Sequence, residues 1–242
     1  MPRTVLNTHY ALRIVLLMAA TIAPAQSAPH KFVVLLDPAH GGKDSGAQSA
    51  AGHFVEKDVT LDFAKILRST LAARNIDLRL TREDDVALTA SQRAATAAAL
   101  SPSACITLHA TAVGSGVHVF YPMTQFELPF KSFLDLWFPG YVAPSMQSMQ
   151  LSRTVVAAFN KSSLKATIAP AADPTLSRER CPAVAIELGP LLNEGSANTS
   201  AADPHYQQQA AMAVADALEK FRDQRRTQDA NASAYVRKTV GK

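Results

Sequence analysis

Two histidines and two glutamates stand at places in this chain where a reactive group is well presented. His40 follows the apolar run Phe32 to Leu36 across Asp37-Pro38-Ala39, His109 follows Ala104 to Leu108, and Glu187 follows Ala183 to Ile186. Glu56 lies at the entrance to the helix expected after the first loop. Two neutral imidazoles and one carboxylate suit zinc and leave a fourth position for water. A second carboxylate near that water could take its proton as it attacks a carbonyl. Any one of these residues alone is more commonly a satisfied hydrogen-bonding group, so the reading rests on their convergence at the ends of buried-looking runs.

The elements that must position them alternate. Phe32 to Leu36 is a continuous apolar run stopped by Asp37-Pro38, the pattern of a strand buried on both faces. Val59, Phe63, Ile66, Leu67 and Leu71 recur at helical spacing, and Ile76 to Leu80 reads as a second strand. Thr89-Ala-Ser-Gln92 resembles a capping box that opens an alanine-rich helix to about Leu100. Strands are expected at Ala104 to Leu108, Val117 to Tyr121 and Ala183 to Glu187, with helices from about Met149 to Asn160 and Tyr206 to Phe221. The alternation predicts an α/β fold, a mostly parallel twisted sheet with helices on both faces in a single catalytic domain. Ligands of such sheets bind beyond the carboxyl ends of the strands, where His40, His109 and Glu187 fall.

The chain has 242 residues, 48% of them hydrophobic, with 24 basic and 20 acidic side chains for a formal charge of +4. That composition supports a packed core and excludes wholesale disorder, and so mild a charge gives no reason to expect a nucleic-acid partner. The basic excess sits at the ends. Residues 1–25 hold Arg3 and Arg13 and no acid, and residues 220–242 hold seven basic against two acidic residues. The body, residues 26–219, carries 15 basic and 18 acidic side chains. Arg3, Arg13, the apolar run Ile14 to Ala23 and the small-residue pattern Ala23-Pro24-Ala25 read as a secretory signal peptide, residues 1–25, too short to span a membrane. The mature chain is then expected outside the cytoplasm, in the periplasm, with no stable membrane span. A disulfide between Cys105 and Cys181 is permitted there, although both could equally be core thiols. The catalytic domain is expected over 26–221, with an aromatic and proline-rich insertion at 122–150 and a polar, basic, flexible tail at 222–242.

The segments Asp37-Pro-Ala-His40-Gly-Gly-Lys-Asp44-Ser-Gly46, Val55-Glu56-Lys57-Asp58, Leu80-Thr81-Arg82, Thr107-Leu-His109-Ala, Gly116-Val-His-Val-Phe-Tyr121 and Pro182-Ala-Val-Ala-Ile-Glu187-Leu-Gly189 follow one another as they do in the zinc-dependent N-acetylmuramoyl-L-alanine amidases of the Amidase_3 family. The resemblance covers roughly Lys31 to Phe221. It implies a peptidoglycan hydrolase that cuts the amide between N-acetylmuramic acid and the L-alanine of the stem peptide, acting on peptidoglycan or muropeptides. It further implies that His40, Glu56 and His109 are the Zn2+ ligands and that Glu187 is the catalytic carboxylate. Gly41 and Gly42 would let substrate or a neighbouring loop approach the metal.

The chain departs from the family pattern at three places. Ala39 replaces the glycine usual before the first histidine, Thr111 an asparagine after the second, and Pro190-Leu-Leu-Asn193 a Phe-x-Ser-Asn segment. Two alternatives therefore stay open, a catalytically silent wall-binding or regulatory module and a zinc peptidase cutting within the stem peptide. A regulatory protein partner is possible and unidentified. His53 reads as a solvated loop residue, His118 as part of a strand, and Arg82 is expected to pair with a carboxylate, of the protein in preference to the substrate's stem peptide.

Overall fold

The computed structural model describes residues 31–123, 144–171, 181–192 and 200–240. Its strands are β1 (Val33–Pro38), β2 (Asp77–Leu80), β3 (Ala104–Ala110), β4 (Gly116–Pro122), β5 (Ala166–Ala171) and β6 (Ala183–Gly189). Its helices are α1 (Glu56–Ala72), α2 (Ala90–Leu100), α3 (Pro144–Lys161) and α4 (Pro204–Val240). The strands form one six-stranded sheet in the order β2-β1-β3-β6-β4-β5. All neighbours are parallel except β4 and β6, which run antiparallel. The expected mostly parallel sheet is present, with one reversed pairing. β6 lies between β3 and β4, so the last strand made closes the middle of the sheet.

Strand alternation separates two faces. Val34, Leu36, Ile106, Leu108, Val184, Ile186, Leu188, Val117 and Val119 meet Phe63, Leu67 and Leu71 of α1, Leu151, Val155 and Phe159 of α3, and Val214, Leu218 and Phe221 of α4. Each such side chain, fully buried, contributes roughly 1.5–3 kcal/mol, so this face holds most of the core. The opposite face carries a smaller cluster of Leu35, Cys105, Cys181, Ala183 and Ala185, covered by α2 through Ala97. Helices therefore lie on both faces, three against one. The lightly covered face is the one that presents Asp37, Thr107, His109 and Glu187, because they fall at the odd positions of β1, β3 and β6.

Three expectations about elements need correction. β5 was not expected: it is an edge strand with largely exposed residues and Pro170, and such a strand shows neither clean alternation nor a continuous apolar run. α3 begins at Pro144, so residues 144–150 of the expected insertion form its first two turns, while 124–143 lie outside the described residues. The tail expected at 222–242 continues α4 to Val240. Arg225 donates to the Ser103 carbonyl at 2.9 Å, and Gln224 and Gln228 both meet Gln150, so polar contacts rather than an apolar stripe hold the extension to the body. The expected signal segment, residues 1–25, also lies outside the described residues. Cys105 and Cys181 are joined in a disulfide, with Cα atoms 5.9 Å apart, which decides between the two readings of the cysteines. Among the described residues no helix is long and apolar enough to cross a membrane.

Candidate metal centre

The loop between β1 and α1 does most of the positioning. It crosses back on itself through bridges between Gly41 and Asp44 and between Gln48 and Val55. α1 has no side-chain cap at Val55. Its first N–H groups instead donate to this loop, Glu56 N to the Ala47 carbonyl at 2.8 Å and Lys57 N to the Ser45 carbonyl at 3.2 Å, which satisfies donors that a helix start otherwise leaves open. Glu56 thereby becomes the first residue of the helix, with its carboxylate turned back over the loop. Its negative charge also sits favourably at the positive end of the helix dipole.

Glu56 is only 5% exposed. Its Oε2 lies 3.0 Å from His40 Nε2 and accepts from Ala47 N at 2.9 Å, and its Oε1 lies 2.9 Å from His109 Nδ1 and accepts from Ala110 N at 3.0 Å. Burial by itself pushes the Glu56 pKa up, but the bonds from His109, His40 and the two backbone N–H groups outweigh it and hold the carboxyl well below the ordinary glutamate range. The bond to Glu56 raises the His40 pKa above its ordinary value, against the effect of burial, and Asp44 adds to the rise. Asp44 Oδ2 sits 2.9 Å from His40 Nδ1, and that bond together with the Gly46 N–H lowers the Asp44 pKa. In the neutral tautomer with Nδ1–H toward Asp44, the His40 Nε2 lone pair would face an ion in place of the bond to Glu56.

One ligand atom from each of His40, Glu56 and His109 lies within 4.8 Å of the others, and the two imidazole rings stand nearly perpendicular at 5.5 Å. Two nitrogens and one carboxylate oxygen converging at this separation fit a tetrahedral zinc ion with a fourth position left for water. Glu187 lies directly across from His109 on the adjacent parallel strand, on the same face and half-buried. The structure thus brings together all four residues that the sequence singled out.

Around them the glycines are filled by neighbours. A Cβ on Gly41 would lie 2.3 Å from the Val86 carbonyl oxygen, so the close approach is made by the loop after β2. Gly46, at φ +65°, has no room either: a Cβ there would lie 2.5 Å from both Glu56 Oε2 and His40 Cδ2. Ala39 is tolerated because the left-handed residue is His40 itself, at φ 64°. Thr111 donates to the Val113 carbonyl at 2.6 Å, and its backbone joins Leu188 and Leu191, tying the end of β3 to the chain leaving β6.

Two contacts escaped the sequence reading. Asp44 is revealed only by the loop's hairpin geometry. His118 stands across β4 from Glu187 in antiparallel register, on the same face, with Nδ1 2.9 Å from Thr167 Oγ1. Its placement between Val117 and Val119 signals the outward face, but the pairing of β4 with β6 has no local signature. His53 and His205 are exposed and outside the cluster. Arg82 does not pair with a carboxylate among the described residues; it donates to backbone carbonyls.

Among relatives, the chain is 35% identical over 105 residues to the N-acetylmuramoyl-L-alanine amidase AmiC of Escherichia coli O6:H1, covering 39% of this chain and 24% of that protein. It thus spans about a quarter of the length of that relative. It is 27% identical over 212 residues to the Bacillus subtilis protein YqiI, covering 86% of this chain and 94% of the other. Among solved structures, the catalytic domain of the amidase CwlV from Bacillus (Paenibacillus) polymyxa superposes with a TM-score of 0.63 at 24% identity, over 79% of this chain and 98% of that one, which shows a shared fold. The sequence model described as N-acetylmuramoyl-L-alanine amidase matches residues 34–220, which takes in every strand from β1 to β6 and all four site residues, and so this chain belongs to the Amidase_3 family.

Proposed function

We propose that this chain is a zinc-dependent peptidoglycan hydrolase that cleaves the amide between N-acetylmuramic acid and the L-alanine of the stem peptide, exported by residues 1–25 to act outside the cytoplasm, in the periplasm. The observation that carries the reading is the convergence of His40, Glu56 and His109 beside Glu187 at the carboxyl ends of parallel strands. When bound by those three residues, zinc supplies Lewis acidity toward a carbonyl and acidifies a water. Glu187, half-buried, takes the proton from the attacking water and returns it to the departing amine of L-alanine. The water oxygen ends on the lactyl carboxyl group and the C–N bond breaks, so no further reactant is needed. Asp44 keeps His40 in one tautomer, and the backbone N–H groups of Ala47 and Ala110 favour the anionic form of the Glu56 carboxylate.

Mature protein with one zinc per chain is expected to release free stem peptide from defined muropeptides, identified by mass spectrometry. Glu187→Ala is expected to lower kcat about 10³-fold or more at unchanged metal content, the scale on which a positioned proton acceptor acts together with the attack that it assists. Products cut within the peptide would establish a peptidase instead. Absence of any product, with Glu187→Ala indistinguishable from wild type, would leave a silent wall-binding module.

A further inference from the structure

Arg82 is 2% exposed, yet among the described residues no carboxylate neutralises it directly. A buried guanidinium is costly unless every N–H is used, so the destination of its bonds is informative. Nε donates to the Pro38 carbonyl at 2.9 Å. Nη2 donates to the Ala39 carbonyl at 3.0 Å and to the Lys57 carbonyl at 2.7 Å, and lies 3.3 Å from Thr60 Oγ1. Nη1 donates to the Asp84 carbonyl at 3.2 Å. Ala39 immediately precedes His40, and Lys57 immediately follows Glu56. One nitrogen of one side chain therefore joins the two segments that carry these proposed ligands.

Arg93 of α2 completes the set. Its Nη2 donates to the His40 carbonyl at 2.9 Å, while Nη1 bonds the Asp37 carboxylate and reaches the Pro38 carbonyl at 3.4 Å. Asp37 also accepts from Thr81, the residue before Arg82. The carbonyls of residues 38, 39 and 40 are thus each held by an arginine. This matters because His40 is in the left-handed region, which is unfavourable for a non-glycine residue and persists only where the surroundings enforce it.

We propose that Arg82 and Arg93 form a positioning clamp for the metal centre, setting the separation of His40 from Glu56 by holding the backbone on which each is mounted. The proposal rests on the reading of His40, Glu56 and His109 as metal ligands. The planar guanidinium fork is essential to it: a lysine ammonium keeps the charge but lacks the fixed directions that reach Pro38, Ala39 and Lys57 together.

The test uses the mature protein and its Arg82→Lys and Arg93→Lys variants, with zinc affinity measured by chelator competition and the visible absorption of the cobalt-substituted protein recorded alongside. Both variants are expected to lose tenfold to a hundredfold in zinc affinity and to show an altered cobalt spectrum. Val155→Ala, in the helix layer behind the sheet, serves as a control that lowers thermal stability without moving either readout. Zinc affinity within tenfold of wild type in both lysine variants, with the wild-type cobalt spectrum, overturns the clamp. Should Arg82→Lys fail to fold, Arg93→Lys decides on the same tenfold criterion. A wild-type protein that binds no zinc overturns the metal reading and the clamp with it, whereas tight wild-type binding with unchanged variants overturns the clamp alone.

Discussion

Four groups meet the buried Glu56 carboxylate and hold its pKa down, and they come from two separate stretches: His40 and Ala47 in the first loop, and His109 with Ala110 at the end of β3. The candidate centre therefore depends on backbone placement as much as on the proposed ligands. Gly46→Ala tests this without touching a ligand. The new methyl would press on both Glu56 and His40 from a backbone already in the left-handed region, so zinc affinity is expected to fall at least tenfold, measured by chelator competition. Asp44→Asn should lower affinity less, because an amide still bonds His40 Nδ1 but fixes its tautomer more weakly. The placement of His40, His109 and Glu187 at or just beyond the ends of strands was legible in the sequence because each follows an apolar run at a place where a polar residue needs a reason. Asp44 and His118 were not, since their partners are set by a loop hairpin and by a strand pairing that no local pattern encodes.

At the scale of elements, α2 was readable from its own residues. Thr89 accepts from Gln92 N at 3.2 Å and Gln92 Oε1 accepts from Thr89 N at 2.8 Å, the reciprocal box that the sequence suggested. With Ala97 its only buried residue, α2 relies on that cap, and Thr89→Ala is expected to cost about 1 kcal/mol in denaturant unfolding. The length of α4 was less readable, because past Phe221 it is held by side chains such as Arg225 reaching distant carbonyls, and helices held that way show no apolar period. Near its start Tyr206 is 2% exposed, and its hydroxyl has no partner among the described residues. Burial pushes its pKa up to about 12. The unfolded phenol ionises near 10, so the stability tied to the protonated group is intact below pH 10 and is lost between pH 10 and 12. Urea melts across that range should show wild type losing roughly 2–3 kcal/mol more than Tyr206→Phe.

For the molecule as a whole, the disulfide closes 76 residues of chain between β3 and the entrance to β6, on the face that bears the site. Closing a loop of that size restricts the unfolded chain, so Cys105→Ala combined with Cys181→Ala should cost roughly 3–5 kcal/mol in denaturant unfolding. The parallel α/β class was legible from the alternation of buried runs and helical periods, whereas the reversal at β4 and the edge strand β5 were not, because strand order is decided by which faces can be covered rather than by any one segment. That order also has a consequence during synthesis. A chain ending before Ala183 already contains His40, Glu56 and His109, but its described strands fall into two sets, β2-β1-β3 and β4-β5, which only β6 joins among the described residues, and it has no Glu187. Every translation product that stops ahead of β6, and every N-terminal fragment clipped there, therefore lacks the proposed proton acceptor, so on the proposed function such partial copies would carry no wall-cutting activity. The same arrangement makes β6 a natural point of division, at which one piece would carry the three candidate ligands and the other Glu187, and the proposed hydrolysis could be made to depend on their meeting.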